Sequence, residues 1–174
     1  MTFMTYEDIT AIADISLALS FLVALVFGFI QIKQIGRDRR ERFTMETLRN
    51  FQTLEFAKIE GRLSYHKSPS NFKEFEQLPL ARQAEFIRFS QEMESLGILV
   101  AEGLIDIDLV DKTLGLFVTT SWQKYKTVFE EIRQKHSDPF LGEYFQWLAA
   151  YISDRMKKEP REPFYEKNRF INDV

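Results

Sequence analysis

The sequence predicts an all-α fold in which one N-terminal transmembrane helix continues into a cytoplasmic helical bundle. Residues Ile15–Ile32 contain no charged residue and no proline, as a helix that crosses a membrane requires. Beyond them, apolar residues recur at three- and four-residue steps, the spacing of one helix face. The chain has 7 glycines and 5 prolines but 17 phenylalanines, a composition that favours aromatic packing between helices over a sheet.

These patterns divide the 174 residues into four segments. We predict an external lead-in over 1–8, a transmembrane helix over 9–35, a cytoplasmic helical domain over 36–158 and an extended tail over 159–174. Cysteine is absent, which excludes disulfides and thiolate metal sites and fits a cytoplasmic domain. The net charge of −3 gives no electrostatic footprint for nucleic acid outside one basic cluster, so no DNA partner is expected.

The apolar segment predicts a retained membrane anchor. A spanning helix needs about 20 mostly apolar residues, because every backbone polar group in the membrane must be satisfied within the helix. A cleaved signal peptide is the first alternative, but the chain begins with acidic residues, and no small-residue cleavage site follows the apolar segment. A buried core helix is the second alternative, but a segment this long and apolar on all faces favours a span.

The charges that flank the span predict its orientation. No lysine or arginine precedes Lys33, whereas a basic cluster follows the apolar segment directly. Basic residues are retained on the cytoplasmic side, so we predict a single-pass membrane protein with its N-terminus outside and residues 33–174 in the cytoplasm. The same cations favour contact with anionic lipid head groups. The juxtamembrane basic cluster comprises Lys33, Arg37, Arg39, Arg40 and Arg42.

Small residues recur at every fourth position of the predicted span. Such a stripe lets neighbouring helices approach closely, which predicts a homo-oligomer. The alternative is chance, since small residues are common in transmembrane helices. Asp14 lies at the outer boundary, where contact with head groups explains it better than a place in a bundle interior. The small-residue stripe comprises Ser16, Ser20, Ala24 and Gly28, and Gln31 extends it.

Five helices are predicted after the span. The first is a stalk that continues the transmembrane helix, with Phe51, Leu54, Ile59 and Leu63 on one face. Asn71 or Ser70 caps the second helix, and Asp106 or Asp108 caps the fourth. Pro139 opens the fifth, because proline suits the first helical position. The predicted ranges are Gly36–Tyr65, Phe72–Leu78, Leu80–Leu104, Ile107–His136 and Pro139–Lys157.

Aromatic residues of the bundle are predicted to pack rather than to bind ligands. Trp122 and Trp147 lie on different predicted helices and are expected to anchor the core. In the tail, Phe164, Tyr165 and Phe170 are available to dock on a partner or on the domain.

No pattern in the chain predicts a conventional enzyme, a cofactor or a metal site. The sequence lacks a glycine-rich phosphate loop and a nucleophile elbow, and its paired acids lack the spacing of metal ligands. Two arginine–histidine pairs, Arg62 with His66 and Arg133 with His136, are similar to the ribonuclease motif of HEPN domains, but both are spaced more closely than that motif requires. A polar helix end explains each pair more simply.

The stretch Glu94–Val110 carries a resemblance to a known family. It contains the pattern E-x-x-G-x-L-V followed by G-x-I-D-x-D-L-V, with Gly115 and Trp122 further along the chain. This pattern resembles a widespread bacterial family of single-pass membrane proteins whose helical cytoplasmic domain has no known function. The architecture is also similar to the membrane accessory protein of type VI-B CRISPR systems, a likeness that implies an oligomeric pore in antiphage defence.

The sequence therefore leads to three functional hypotheses. The first is a homo-oligomeric membrane protein that perturbs the membrane or forms a pore in defence against phage. The second is a membrane-tethered adaptor or sensor that recruits a cytoplasmic protein or RNA partner, such as a defence effector protein or its RNA. The third is a HEPN-like ribonuclease. Lipid and further copies of the chain are the expected partners.

Overall fold

The predicted all-α fold is confirmed. The computed structural model describes residues 6–65, 68–163 and 166, and it contains no strand within those ranges. The chain divides into two units, residues 1–42 and residues 43–174. The helices are α1 (Tyr6–Asn50), α2 (Leu54–Tyr65), α3 (Phe72–Glu76), α4 (Leu80–Ala101), α5 (Ile107–His136) and α6 (Glu143–Lys158).

The second unit is held together by an aromatic core between α4, α5 and α6. Phe89 of α4 has no exposed surface, and its ring lies 5.7 Å from that of Phe145 on α6 and 6.0 Å from that of Tyr125 on α5. Full burial of such a side chain stabilises the fold by about 1.5–3 kcal/mol. The repeated phenylalanines therefore pack as the composition predicts.

The predicted stalk over Gly36–Tyr65 is wrong because the chain turns at residues 51–53. Phe51 N–H donates to the Leu48 carbonyl at 3.1 Å, which closes α1 with a tight turn. The Thr53 hydroxyl then accepts from Phe56 N–H at 3.2 Å, so it caps the first turn of α2. The predicted apolar face of the stalk is shifted as well, since Leu54 is 72% exposed and Phe56 is buried.

Helix α4 ends three residues before the predicted Leu104. Gly103 adopts φ +66°, a left-handed conformation that ends helices, and Leu104 N–H donates to the Leu99 carbonyl at 3.0 Å. Of the two predicted caps of α5, Asp106 is the correct one, because its carboxylate accepts from Asp108 N–H at 2.8 Å. Asn71 likewise caps α3 and accepts from Glu74 N–H at 2.9 Å.

Helix α6 begins at Glu143, four residues after the predicted start at Pro139. Gly142 adopts φ +69°, which breaks the helical path between the proline and the helix. The predicted core position is confirmed for Trp122, which is buried. It is wrong for Trp147, which is 39% exposed and stacks on Tyr151. The tail aromatics predicted to dock, at 164, 165 and 170, lie outside the described residues.

Candidate functional site

The apolar segment of α1 is a candidate membrane span. Among the described residues, one helix is long and apolar enough to cross a membrane, and its most apolar window has a mean hydropathy of 2.4. None of that window is buried, which distinguishes it from the core helix of a soluble protein. Bulky side chains in the segment, such as Phe29 at 72% and Ile32 at 73%, are exposed.

The small-residue stripe lies on the unburied surface of this segment. The Ser20 hydroxyl donates to the Ser16 carbonyl at 2.8 Å, which satisfies its polar group inside the helix, as a lipid environment requires. A Cβ added at Gly28 meets no atom within 4 Å, so the structure of one chain does not require glycine there. Ala24 and Gln31 are exposed on the same helix.

The juxtamembrane basic cluster is exposed along its whole length. Arg37 Nε lies 2.8 Å from Glu41, in an ion pair whose side chains are 79% and 48% exposed. Such an exposed pair contributes at most about 1 kcal/mol. Lys33, Arg39, Arg40 and Arg42 are also exposed, as contact with anionic head groups requires.

Arg62, the arginine of the first predicted arginine–histidine pair, contacts α4. The Arg62 guanidinium lies 2.9 Å from Glu85 on α4, and its backbone carbonyl accepts from Arg82 at 3.4 Å. Arg62 therefore links α2 to α4. His66 lies outside the described residues.

Arg133 and His136 contact different parts of the bundle. Arg133 Nε donates to the Leu141 carbonyl and its Nη1 donates to Gln146 Oε1, both at 2.7 Å. Its guanidinium also lies 5.8 Å from the Trp122 ring centre. Arg133 thus ties α5 to the start of α6. His136 is exposed and meets the edge of the Phe72 ring at 6.2 Å. This arrangement gives no support to the ribonuclease hypothesis.

The motif residues Glu94 and Gly97 join α4 to α6. The Glu94 carboxylate accepts from Tyr144 N–H at 3.2 Å and from Phe145 N–H at 2.9 Å, so it satisfies the first amides of α6. One turn further on, a Cβ at Gly97 would lie 2.6 Å from the Tyr144 carbonyl carbon. Glycine is required here because the two helices touch backbone to backbone. The E-x-x-G pattern is therefore a docking element.

Gly115 lies where α5 packs on side chains of α6. A Cβ there would lie 3.1 Å from Met156 Cε and 3.4 Å from Ile152 Cγ2. It would also overlap the carboxylate of Asp111, one turn earlier on α5. This third glycine of the motif is thus crowded both by its own helix and by α6.

Thr44 was missed by the sequence analysis. It is fully buried, and its hydroxyl accepts from Asp106 N–H at 2.8 Å, which ties the last turns of α1 to the start of α5. The available signal was its spacing from Leu48, since the two residues lie four apart on one helix face and both are buried.

A groove of about 630 Å³ lies between the last turns of α1 and α4. Phe43, Leu96 and Leu99 give it an apolar lining, and the ion pairs of Arg88 with Glu55 and Glu92 lie at its edge. The hydrogen bond and charge of Arg88 lower the pKa of the Glu55 carboxyl below its ordinary value. Within the ranges that the structure describes, no three acidic or histidine side chains are grouped to hold a metal ion.

The chain belongs to the family of the domain of unknown function DUF4760, whose model matches residues 11–152. The match covers the apolar segment together with α2 to α5 and most of α6. No curated protein matches the chain, and no solved structure does.

Proposed function

We propose that this DUF4760 protein is a single-pass membrane protein whose apolar helix anchors the bundle and associates with further copies of itself. The observation that carries the proposal is the unburied apolar window of α1. In water such a surface would far exceed the apolar patches that monomeric proteins expose. We place residues 1–8 outside a bacterial inner membrane and the bundle in the cytoplasm, because the basic cluster follows the span.

Extraction and labelling test the anchor and its orientation. The full chain is expected to stay in the membrane fraction through a carbonate wash. Because the chain has no cysteine, single substitutions give clean labels. Tyr6→Cys, at an 81% exposed position of the external segment, should react with an impermeant maleimide in intact cells, and Ser95→Cys should react only after lysis. Release by carbonate would refute the anchor, and the reverse labelling pattern would refute the orientation.

Gly28→Leu tests self-association through the stripe. A Cβ at this position meets no atom of the chain within 4 Å, so the monomer should fold unchanged. We expect light scattering of the detergent-solubilised chain to show a defined oligomer that Gly28→Leu converts to monomer. Val26→Leu, a similar change at a bulky position, should leave the oligomer intact. Equal behaviour of the two variants would refute association through this face.

A membrane-perturbing pore in antiphage defence is the second candidate function. It is favoured by the stripe, because Ser16, Ser20 and Gln31 are polar positions of an otherwise apolar span. The purified chain is then expected to raise the conductance of planar bilayers, and Gly28→Leu should abolish the increase. Stable association without conductance would leave a tethered adaptor that recruits a protein or RNA partner.

A further inference from the structure

Within the described ranges, the outward face of α6 is not covered by another helix of the bundle. The opposite face packs into the core through Phe145, Leu148, Ala149 and Ile152, so the described helices contact α6 on one side. The exposed positions follow a spacing of four and three residues, the spacing of a seam between two paired helices. They are Glu143, Trp147, Ala150, Tyr151, Asp154, Lys157 and Lys158.

The centre of this face is aromatic. The Trp147 and Tyr151 rings stack with their centres 5.3 Å apart and their planes within 8° of each other. They are 39% and 41% exposed, although burial of such large rings would stabilise the protein strongly. Tryptophan and tyrosine are enriched where protein surfaces meet, which indicates an interface rather than a solvated face.

The charges on either side of the aromatic pair are self-complementary. Glu143 lies at the start of the face, and Lys157 and Lys158 lie at its end. When two copies run antiparallel about the midpoint between Ala150 and Tyr151, Glu143 of one copy faces Lys158 of the other. The helix dipole alone favours acid at the start and base at the end of a helix, but it does not explain the exposed aromatic centre.

The residues between centre and ends also match in this arrangement. Trp147 faces Asp154 of the other copy, and the indole N–H is a donor that the carboxylate can accept. Ala150 faces Tyr151, which pairs a small side chain with a large one. Each contact occurs twice, as a two-fold interface requires.

We propose that α6 pairs with α6 of a second copy of this chain in an antiparallel, two-fold contact centred between Ala150 and Tyr151. This surface belongs to the bundle and is separate from the small-residue stripe. It therefore stands whether or not the transmembrane helices associate. Its partner is a second identical bundle.

Disulfide trapping of the full chain tests the pairing and its direction. All variants carry Gly28→Leu, so that the stripe does not hold the copies together. Ala150→Cys should form a disulfide-linked dimer on mild oxidation. Glu143→Cys mixed with Lys158→Cys should form the mixed dimer at least about tenfold faster than either forms its own dimer. Faster formation of the Glu143→Cys dimer with itself would show a parallel contact and overturn the proposal.

Charge reversal gives a second test that does not depend on a cysteine at the ends. In the Ala150→Cys chain, Lys157→Glu together with Lys158→Glu should lower the dimer yield about tenfold, and added Glu143→Lys should restore it. Lys112→Glu on α5 is the matched control and should change nothing. A dimer yield that does not change with these reversals would refute the pairing. So would a yield equal to that of Thr120→Cys, which lies on the exposed surface of α5.

Discussion

The apolar residues of this chain are placed in opposite ways in its two units. In residues 14–35 of α1, the phenylalanines, leucines and isoleucines are exposed, whereas in the second unit Phe89, Phe129 and Phe145 have almost no exposed surface. In water, burying apolar side chains is favourable, whereas leaving a long apolar segment exposed is unfavourable. The same residue types are therefore exposed in the apolar segment and buried in the second unit, and only the second unit is stabilised by their burial.

The largest expected effect breaks the comparison with one substitution made in both units. Phe89→Ala should lower the free energy of unfolding of the bundle by about 3–5 kcal/mol, because it leaves a cavity among the rings of Phe117, Tyr125 and Phe145. Phe29→Ala, at a 72% exposed position, should leave it unchanged. Denaturant unfolding in detergent, followed by the fluorescence of the two tryptophans, measures both. A loss of stability in Phe29→Ala would show that the apolar segment packs on protein.

A charge gives the converse comparison. Leu22→Arg places arginine near the middle of the apolar segment and should disfavour membrane insertion by about 2.5–3.5 kcal/mol. Leu116→Arg, at a 71% exposed position of α5, should leave insertion unaffected. The carbonate-resistant fraction of each variant is the measurement. Equal extraction of the two would contradict the assignment of Leu22 to lipid.

A smaller effect sharpens the account of the bundle. Glu94→Ala removes the acceptor of two α6 amides and should cost about 1.5–3 kcal/mol of bundle stability, since hydrogen bonds to charged groups lie in that range. Glu102→Ala, at an exposed position one residue past the end of α4, should change the free energy of unfolding little. The same denaturant experiment compares them. Matching losses would remove the docking role assigned to Glu94.

The smallest effect is confined to alkaline pH. Burial raises the pKa of the Tyr125 hydroxyl, although a hydrogen bond with Ser68 and the charge of Arg82 oppose the shift. The unfolded chain loses this proton above about pH 10, while the folded chain keeps it, so stability falls as the pH rises past that value. Tyr125→Phe should weaken this fall in an unfolding series at rising pH. An identical slope in both chains would contradict the burial effect.

The sequence predicted elements whose signals are local. Asn71 and Asp106 cap their helices as predicted because a cap depends on a few neighbouring residues. The start of α6 was predicted too early because Gly142 breaks the helical path after Pro139. The carboxylate of Glu94, which is distant in sequence, then binds the first amides of α6. Trp147 was assigned to the core because composition does not tell which face of a helix has a neighbour.

The candidate site also combines features that local sequence predicts with features that depend on distant contacts. The exposed apolar segment follows from composition alone, whereas the buried Thr44 hydroxyl depends on a contact with Asp106, 62 positions away. The motif glycines were visible in the sequence, but their reason was not. Gly97 is required by backbone atoms of Tyr144 on α6, a contact that no local pattern reveals, whereas Gly115 is crowded by Asp111 of its own helix as well as by α6.

The Glu94 contact has a consequence for synthesis on the ribosome. The Glu94 carboxylate accepts a hydrogen bond from the amide of Phe145, which is synthesised 51 residues later. At the usual pace of about 5–20 residues per second, that interval lasts roughly 3–10 seconds. During it α4 is made but its docking partner is not, while the apolar segment, made earlier, is already free to enter a membrane. The bundle therefore completes its fold last, after the whole apolar segment has been made.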